Sequence, residues 1–474
     1  MDTKLLKQKI LDLAIHGKLV PQNPNDESAS KLLEKIREEK QKLIAEKKIK
    51  ADKNDSYIFV GEDNRHYEKF ADGTVKDIED EIPFDVPEGW AWCRLNELAD
   101  IARGGSPRPI ENYITDSPDG INWIKIGDTA PESKYIESAK EKIKPEGQKH
   151  SRFVHEGDFL LTNSMSFGRP YILKINGCIH DGWLVFANIK ECVIKDYLYY
   201  ALSSDYIYAS FSMVAAGSTV KNLKSDTVKQ VLFPLPPIKT QEKIVESIEE
   251  SFSQIDILDN EKSELQTAIK QAKSKILDLA IHGKLVPQDP NDEPAEELLK
   301  RIATSDNRPY EKVELSEIDR SLPNNWCLCH FGDIATVING KNQSKVETPN
   351  GKYPIYGSGG IMGRADDYIC PENCTIIGRK GSINNPIFVE EKFWNVDTAF
   401  GLSPSEAVLP RFLFYFCEYF DFTTLDSSTT LPSLTKTNIQ QIIFALPPIE
   451  EQKRILDKTN ELFDKLNEII LNLV

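Results

Sequence analysis

One segment of the sequence occurs twice almost unchanged. Residues 10–27 read ILDLAIHGKLVPQNPNDE and residues 276–293 read ILDLAIHGKLVPQDPNDE, so the two copies differ only at Asn23 and Asp289. A match of this length does not arise by chance, and it indicates an internal duplication. The chain is therefore expected to contain two copies of one unit, and a protein built in this way is expected to engage its target twice.

Two further segments are repeated. Residues 233–252 read FPLPPIKTQEKIVESIEESF, and residues 444–463 read FALPPIEEQKRILDKTNELF. A shorter match relates residues 86–90 to residues 322–326. Between these landmarks the two copies hardly resemble each other. The predicted order is shared helix, divergent module, shared helix, divergent module and shared helix.

These landmarks divide the chain into seven segments. The two divergent domains, called module 1 and module 2 below, occupy residues 88–235 and 322–446. The remaining segments are an N-terminal helical segment at 1–50, a linker at 51–87, a central coiled-coil helix at 236–300, a linker at 301–321 and a C-terminal helix at 447–474. A length of 474 residues also favours more than one domain.

Composition favours a globular protein of the cytoplasm. Hydrophobic residues make up 40% of the chain and charged residues 28%. No apolar run approaches the ~18 residues that a membrane span needs, and the N-terminus has no signal-peptide core. The eight cysteines show no regular disulfide spacing, so free thiols are expected.

The net charge of −16 is unevenly distributed along the chain. Module 1 contains 17 Lys and Arg residues against 18 Asp and Glu, and module 2 contains 9 against 12. Most of the negative charge therefore lies in the helical segments and the residues next to them. Because the modules are nearly neutral, basic loops on them can bind the phosphate groups of a nucleic acid without strong repulsion from the rest of the module. The same charge balance also suits modules that bind protein or small ligands.

The central segment has the pattern of a long, one-sided helix. Its apolar residues recur mostly at steps of three and four, which is a heptad seam. The seam contains Ile244, Ile248, Phe252, Ile255, Leu258, Leu265, Ile269, Ala272, Ile276 and Leu279. Pro236 and Pro237 predict where the helix starts, and Gly283 followed by Pro287 predicts where it ends. Such a helix would contain about 40 residues and be ~60 Å long.

A helix of this length with a single apolar face needs another helix that covers that face. Residues 3–15, 28–49 and 451–473 are the candidates within the chain. Pairing of the two terminal segments with the central helix would close a pseudo-twofold arrangement.

The two modules are predicted to be mixed in structure and mostly β. Segments rich in β-branched and aromatic residues alternate with Gly- and Asn-rich turns. The clearest strands are Phe159–Leu161, Tyr171–Leu173, Leu184–Phe186 and Thr375–Ile377. Each module ends in a short aromatic helix, Tyr197–Ser210 or Arg411–Phe420, whose Tyr and Phe stripes are expected to pack in the core rather than stack on bases.

Four polar loops are the candidate binding segments. Residues 103–108 place two arginines beside glycines and a serine, and residues 157–169 form a second polar loop of module 1. Residues 356–360 and 378–382 are the counterparts in module 2. Glycine lets the backbone approach an anion closely, and the arginine fork grips phosphate or reads guanine. The alternative for each loop is an ordinary β-turn with solvated charges.

Motifs of catalysis and metal binding are weak. No GxxxxGK[ST] phosphate loop exists, so ATP hydrolysis by this chain is not supported. Residues 385–388 approach the NPPF motif of adenine methyltransferases but lack its second proline, and we interpret them as a loop. A nuclease-like PD…ExK match within residues 118–134 is of a kind that a highly charged chain produces easily. The cysteines of module 2 are irregularly spaced for a zinc site. We predict no catalytic residue and no metal.

The arrangement resembles the DNA-specificity subunit of type I restriction-modification systems along nearly the whole chain. The LAIHGKLVPQ motif at 13–22 and 279–288 and the LPPIxxQxxI motif at 235–244 and 446–455 are similar to the conserved helical regions of that family. Within the modules the matching segments are Gly104–Pro107, Trp123–Asp128, Gly217–Thr219, Tyr353–Gly360, Ile377–Ser382 and Ser428–Thr430. Module 1 departs from the Gly-Arg-Lys-Gly-Ser sequence of residues 378–382, and residues 162–166 read TNSMS at that place.

The resemblance implies an α+β fold in which long antiparallel coiled-coil helices separate two β-rich target recognition domains with pseudo-twofold symmetry. Each domain would read one half of a bipartite site in double-stranded DNA, and the helices would fix the spacer between the halves. The chain itself would have no catalytic residue and no cofactor. It would recruit two methyltransferase subunits, which use S-adenosylmethionine to methylate adenine, and two restriction subunits that depend on ATP and magnesium.

The candidate DNA contacts are polar side chains of the module loops. They are Arg103, Ser106, Arg108, Lys125, Asn163, Ser164, Ser166, Arg169, Lys221, Lys341, Asn342, Lys345, Tyr356, Ser358, Arg364, Arg379, Lys380 and Ser382. The candidate docking residues for partner subunits are His16, Lys18, His282 and Lys284, at the ends of the repeated helices.

Two other classes of function compete with this interpretation. One is a coiled-coil protein-interaction scaffold that presents two paralogous adaptor modules. The other is a self-contained restriction enzyme, which the missing nuclease and methyltransferase motifs contradict. A DNA reader retards DNA with an affinity that depends on salt, whereas a scaffold does not.

Inserting four residues after Leu265 tests whether the helix acts as a ruler. The insertion adds about 6 Å of helix, so the spacer in the recognised site is expected to lengthen while both half-site sequences stay the same. Mapping of methylated adenines measures both quantities. New half-site sequences at an unchanged spacing would contradict the ruler.

Overall fold

The computed structural model describes residues 2–52, 55–130, 133–164, 167–215, 222–305, 313, 322–425 and 433–472. The chain divides into two compact units, Met1–Asn260 and Glu261–Val474. Unit 1 contains module 1 and unit 2 contains module 2, and the boundary falls within one long helix.

Unit 1 begins with two helices and a small antiparallel sheet. These elements are α1 (Thr3–Ile15), α2 (Ala29–Ala45), β1 (Ser56–Val60), β2 (His66–Phe70) and β3 (Val75–Asp77). The prediction of a linker at residues 51–87 is therefore wrong. Glu68 of β2 is buried and forms an ion pair of 2.7 Å with Arg94 of module 1. Local composition does not reveal such a contact between residues that are distant in sequence.

In its described residues, module 1 contains three sheets and four α-helices. Its elements are β4 (Ala91–Arg94), α3 (Leu95–Leu98), β5 (Asp100–Arg103), β6 (Ile114–Thr115), β7 (Ile121–Ile124), β8 (Tyr135–Ile136), β9 (Glu141–Ile143), β10 (Arg152–Val154), β11 (Phe159–Thr162), β12 (Pro170–Leu173), β13 (Gly177–Ile179), β14 (Trp183–Ala187), α4 (Lys195–Leu202), α5 (Asp205–Ala215), α6 (Ser225–Lys229) and β15 (Leu232–Leu235). The central sheet has the order β5-β14-β11-β12-β8, a second sheet has the order β10-β13-β7-β9-β6, and β15 pairs with β4.

The long helix α7 (Ile238–Ile281) contains 44 residues, which corresponds to ~66 Å. Its start and end agree with the predicted proline and glycine signals. Gly283 has a φ of +65°, and a Cβ atom there would lie 2.5 Å from Pro323 Cγ, so only glycine fits after the helix. The prediction of one helix through residue 300 is wrong, because a separate helix, α8 (Ala295–Ser305), follows the turn.

Most of the apolar seam of α7 is buried or half-buried. Ile244, Ile248, Ile255 and Ile269 are buried. By contrast, Leu258 is 48% exposed. The heptad prediction is therefore wrong at Leu258, where the described chain supplies no cover.

The described residues of module 2 repeat the core topology of module 1. Its elements are β16 (Cys327–His330), α9 (Phe331–Ile334), β17 (Ala335–Asn339), β18 (Tyr353–Gly357), β19 (Gly360–Ala365), β20 (Cys374–Gly378), β21 (Ile387–Val389), β22 (Trp394–Asn395), β23 (Ala399–Pro404), α10 (Pro410–Tyr419), α11 (Lys436–Gln440) and β24 (Ile443–Leu446), followed by α12 (Ile449–Asn472). The sheet order β17-β23-β20-β21 matches β5-β14-β11-β12, and the pair β16-β24 matches β4-β15. The parallel pair of β18 and β22 matches that of β7 and β13.

The four strands predicted from composition all lie within observed strands, and the aromatic helices pack in the core as expected. Tyr197, Phe211 and Phe412 are almost completely buried. The helix predicted at 197–210 is instead the pair α4 and α5. The chain turns between them at Ser203 and Ser204, whose hydroxyls donate to backbone carbonyls of α4. The loop predicted at residues 385–388 is wrong in part, because β21 begins within it.

Each terminal helix contacts the part of α7 that belongs to its own unit. In unit 1, Lys7 of α1 forms an ion pair of 2.5 Å with Asp256. In unit 2, Lys273 donates a hydrogen bond of 2.7 Å to Asn467 of α12. Helix α2 is held instead against α3 by an ion pair of 2.7 Å.

A buried glutamine joins each module to the helix that follows it. Gln241 accepts a hydrogen bond from Ile194 N at 2.8 Å and donates to Cys192 O and Pro236 O at 2.8 and 2.9 Å. Gln452 makes the same three bonds with Leu409 N, Ala407 O and Pro447 O. Both side chains have no exposed surface. We call this arrangement the glutamine latch, and it fixes the start of the helix against its module.

Replacing Gln241 with leucine is expected to destabilise unit 1. Each buried backbone group left unpaired costs about 1–3 kcal/mol, and the Ile194 amide would lose its acceptor. Urea unfolding gives the overall loss, and hydrogen exchange at Ile194 gives the local one. The control Gln271→Leu changes an exposed position of the same helix. Equal stability of the two variants would contradict the latch.

Candidate nucleic-acid interface

Loops from distant parts of each module leave the central sheet at one edge. In module 1, Thr162 at the end of β11 pairs with Trp183 at the start of β14, and Arg103 at the end of β5 pairs with Leu184. In module 2, the end of β20 and the end of β17 lie in the same way beside the start of β23. This edge therefore gathers the loops that carry most of the predicted contacts.

The loops after β11 and β20 are structural counterparts. Asn163 N donates to Gly182 O at 2.9 Å, and Asn163 O accepts from Leu223 N at 2.9 Å. Arg379 makes the matching bonds with Thr398 O and Leu434 N, at 2.8 and 2.9 Å. The backbone thus places Asn163 and Arg379 at the same position, which agrees with the correspondence predicted between these two loops.

Asp181 brings together three of the residues predicted in module 1. Its carboxylate accepts hydrogen bonds from Ser106 Oγ at 2.9 Å and Arg108 Nη2 at 3.2 Å, and its carbonyl oxygen accepts from Arg103 Nε at 2.8 Å. The side chains of Arg103 and Arg108 are 50% and 80% exposed. Both therefore retain N–H groups for a ligand. We call these four residues the Asp181 cluster.

Asp181 is ionised at neutral pH. Burial raises the pKa of its carboxyl group, but the Ser106 hydroxyl and the Arg103 guanidinium lower the pKa by more, so the net pKa lies below the ordinary value of 3.8. A carboxylate between two guanidinium groups combines two functions. The guanidinium groups can grip phosphate, and the carboxylate can accept a hydrogen bond from the amino group of a base.

A concavity of about 350 Å³ lies beside the Asp181 cluster. Trp123, Lys125 and His180 line it together with members of the cluster. Lys125 also forms an ion pair with Glu141, which limits its freedom. The concavity is therefore lined by charged, hydroxyl and aromatic side chains, a combination that a base or a sugar edge can use.

His180 is held in its neutral form. Its Nδ1 lies 2.6 Å from Gly182 N and its Nε2 lies 3.2 Å from Ile126 N. An imidazolium would point an N–H group at both backbone donors, whereas the neutral ring can accept from one of them. Burial lowers the pKa of His180 below 6.5, and this effect outweighs the nearby Asp181 carboxylate, which raises it.

In module 2 the position that matches Asp181 is Asp397, since each lies two residues before the start of the matching strand. Asp397 O is 3.5 Å from Arg379 Nη1. Ser358 O accepts a hydrogen bond of 3.4 Å from the side chain of Asn385. This bond joins the turn between β18 and β19 to the loop after β20. The predicted residues Ser358 and Arg379 therefore lie in neighbouring loops.

Three further predicted residues make contacts inside their own module. Asn163 is completely buried and its side chain donates to Asp181 O at 2.8 Å, and a direct DNA contact by this residue stays a prediction. Tyr356 is half-buried against Phe393. Arg364 lies near the end of β19 that is distant from its turn, and its guanidinium donates to Gly351 O and Lys352 O.

The remaining predicted DNA contacts stay predictions. Exposed residues in this group are Arg169, Lys341, Asn342, Lys345, Lys380 and Ser382, and Ser164 is half-buried. Ser166 and Lys221 lie outside the described residues, as do the segments 217–219 and 428–430.

The predicted docking residues lie at the C-terminal ends of α1 and α7. His16 Nδ1 donates to Asp12 O and His282 Nδ1 donates to Asp278 O, each at 2.7 Å, so both histidines cap their helices. Lys18 and Lys284 are exposed. Partner docking by these four residues stays a prediction.

Sequence reasoning missed His180, Asp181 and Asp397. A signal for them existed, because His180 and Asp181 precede a strand that composition predicts, at 184–186. Polar residues at the start of a strand are common at binding edges. Only the fold shows that this position lies beside residues 103–108.

The cysteines are buried and free. Burial raises the pKa of the Cys192 thiol to about 12 and that of Cys374 to about 11. Both thiols are therefore protonated at neutral pH, which makes them poor metal ligands. Within the described residues, no group of three or more His, Cys, Asp or Glu side chains is arranged to hold a metal ion.

Comparison with known proteins identifies the family. Residues 87–267 and 323–474 match the family model described as type I restriction modification DNA specificity domain. The chain belongs to the type I restriction-modification DNA-specificity family. The first range contains module 1 and the part of α7 up to residue 267, and the second contains module 2 from residue 323 together with α12.

The named relatives are also specificity subunits. The type I restriction enzyme EcoAI specificity subunit of Escherichia coli is 24% identical, and the alignment covers 98% of this chain and 90% of the relative. The EcoEI specificity subunit of Escherichia coli is 28% identical over 70% of this chain and 61% of the relative. Their names describe specificity subunits and not catalytic ones.

Solved structures support the α+β fold with two β-rich domains. A chain from a structure of the assembly and conformational transition of a type I restriction-modification system has a TM-score of 0.57 at 18% identity, covering 82% of this chain and 94% of that one. The HsdS subunit from Thermoanaerobacter tengcongensis has a TM-score of 0.51 at 17% identity, covering 82% and 92%. In the described part of the specificity subunit, no helix combines the length and apolarity of a membrane span.

The neutral state of His180 makes a pH effect testable. Below pH 6.5 the unfolded chain takes up a proton that the folded chain resists, so the free energy of unfolding should fall as the pH drops through this range. Urea unfolding at pH 7.5 and 5.5 should show a larger loss for the wild type than for His180→Gln. An NMR titration midpoint of His180 above 6.5 would contradict the assignment.

Proposed function

We propose that the chain reads a bipartite site in double-stranded DNA, one half with each module. The observation that carries this proposal is one shared topology with different side chains at matching loop positions. The half-buried Ser164 of module 1 stands where module 2 has the exposed Lys380. Asp181 of module 1 binds Arg108, whereas the matching Asp397 of module 2 lies beside Arg379. Two readers with the same scaffold and different chemistry suit two different half-sites.

In module 1, Arg103 and Arg108 hold the DNA backbone, and Asp181 accepts a hydrogen bond from a base amino group. The support is the exposure of the two guanidinium groups and the ionised state of the carboxylate between them. Arginine suits phosphate because its fork donates two parallel bonds. A cytosine N4 or an adenine N6 amino group in the major groove is the matching donor for the carboxylate.

In module 2, the loop after β20 has the corresponding role. Arg379, Lys380 and Ser382 supply two charges and a hydroxyl within four residues. A Cβ atom at Gly378 would lie 2.2 Å from Ser382 O, so glycine is needed where the loop folds back on itself. Lys341, Asn342 and Lys345 add exposed polar groups from the loop after β17.

Helix α7 acts as the ruler between the half-sites. Its ~66 Å length exceeds one turn of B-DNA, which is about 34 Å. The proposed arrangement is antiparallel and coiled-coil, with the terminal helices beside α7 and approximate twofold symmetry. Contacts of α1 and α12 with α7 inside their own units support it.

The chain is proposed to be non-catalytic and to work in the cytoplasm with partner subunits. Two methyltransferase subunits would supply S-adenosylmethionine chemistry, and two restriction subunits would supply ATP- and magnesium-dependent cleavage. Membership of the specificity family supports this division of labour. Docking is assigned to the acidic helices and to the turns that contain Lys18 and Lys284.

Single substitutions in the two modules test the proposal. Asp181→Ala removes the proposed acceptor for a base amino group and should relax base preference in one half-site. Arg379→Ala removes a guanidinium that can read guanine and should relax base preference in the other half-site, each by about 1–3 kcal/mol of discrimination. Methylation of DNA libraries with each half-site varied in turn measures both effects. Arg301→Ala, on α8, is the control because this exposed arginine lies outside both modules.

The outcomes separate the candidate functions. Effects confined to one half-site per variant support two independent readers. Equal effects of both variants on both half-sites would contradict them. Absence of any DNA preference in the wild-type complex would favour the interaction scaffold instead.

A further inference from the structure

Each module makes a second contact with its helix, beyond the glutamine latch. In unit 1 the Tyr200 hydroxyl donates to Glu249 Oε1 at 3.2 Å, and its ring packs on Phe252 at 5.9 Å between centroids. Tyr200 lies on α4 and Glu249 on α7. This contact therefore joins module 1 directly to the helix.

Unit 2 contains the same contact. The Tyr415 hydroxyl donates to Asn460 Oδ1 at 2.6 Å, and its ring lies 5.7 Å from that of Phe463. Glu249 and Asn460 each lie eight residues after the latch glutamine of their helix. The two units thus place a tyrosine contact at one and the same distance from the glutamine latch.

The spacing of the two contacts gives them a geometric role. Eight residues of helix correspond to about 12 Å. Between the two polar contacts, Ile244 and Ile248 of α7 join the hydrophobic core of module 1, but apolar packing is not directional. A second point at this distance fixes the tilt angle, and the angle sets where the reading loops lie relative to the helix.

Unit 1 reinforces the second contact with charge. Lys134 Nζ lies 2.6 Å from Asp196 Oδ1 and 3.3 Å from Glu249 Oε1. The ammonium group also lies 4.9 Å from the centroid of the Tyr200 ring, and the side chain is only 16% exposed. The carboxylates of Asp196 and Glu249 are 40% and 51% exposed, so salt screens these pairs in part. The shielded ammonium group of Lys134 is nevertheless held by two carboxylates and an aromatic ring together.

This reinforcement belongs to an addition in module 1. Lys134 immediately precedes β8, the strand that extends the central sheet beyond β12. In the described part of module 2, the matching sheet ends at β21. Lys134, Tyr200 and Glu249 thus form a charged contact between module 1 and α7, which we call the brace. In the described part of module 2, the neutral pair Tyr415 and Asn460 lies at the matching place.

We propose that Lys134, Tyr200 and Glu249 are positioning residues that fix the tilt of module 1 on α7 and thereby restrict the spacer length the protein accepts. This inference rests on the proposed reading of a bipartite site. The three residues touch no DNA in this scheme. They act through the placement of the Asp181 cluster, and Tyr415 with Asn460 has the same role for module 2.

The test removes the brace from the module side only, so the surface of α7 remains unchanged for partner subunits. The variant combines Lys134→Met with Tyr200→Phe, which keeps the apolar bulk of both side chains. The matched control combines Lys174→Met with Tyr206→Phe. Lys174 is exposed, and the Tyr206 hydroxyl bonds to Leu232 O inside module 1.

The measurement is methylation, by the assembled complex, of DNA with both correct half-sites and a spacer that is correct or one base pair longer or shorter. For the brace variant, the preference for the correct spacer should fall about tenfold, as a loss of ~1.4 kcal/mol of coupling produces. Half-site base preferences should stay as in the wild type. Glu249→Asn, which copies unit 2 and keeps an acceptor for Tyr200, should fall between the two.

The possible results distinguish the two proposals. A brace variant that discriminates spacers as sharply as its control would overturn the positioning role, while the bipartite site itself stands. A wild-type complex that methylates all three spacers equally would overturn the bipartite proposal. If the double variant does not fold, Tyr200→Phe alone with Tyr206→Phe as control gives the same comparison.

Discussion

The junction between module and helix depends on a side-chain amide that is completely buried and fully hydrogen-bonded. Gln241 and Gln452 each use one acceptor and two donors on backbone groups of the module and of the residues just before the helix. An unpaired amide at such a site is costly, so the helix has one stable starting position against its module. This junction therefore determines where the reading loops lie relative to the helix.

The backbone of each module also limits which residues can differ at the edge where the reading loops leave the central sheet. A Cβ atom at Gly104 would lie 2.2 Å from His180 O, and one at Gly340 would lie 1.8 Å from Val396 O. The backbone there approaches too closely for any other residue. Side chains a few positions away differ freely between the modules, as Asn163 and Arg379 do. The close backbone contacts at these glycines keep the fold the same in both modules, while the side chains around them differ. This combination explains how one fold can present two different sets of polar groups.

Much of the architecture was predictable from the sequence, because its signals are local. The duplication, the start and end of α7 and the strands at 159–161 and 375–377 follow from repeats, prolines, glycines and β-branched runs. The sheet at 56–77 and the exposure of Leu258 were not predictable in this way, because both depend on contacts distant in sequence or on cover that the described chain does not supply. Of the candidate site, Arg103, Ser106 and Arg108 were found from their loop, whereas Asp181 required the fold.

The decisive measurement is a map of methylated adenines in DNA from cells that express the chain together with its methyltransferase and restriction partners. If one helix holds two unlike readers at a fixed distance, the map will show a single motif made of two different half-sites, each with its own methylated adenine, separated by a gap of constant length and arbitrary sequence. A contiguous motif, or half-sites separated by a variable gap, would contradict this role of the helix.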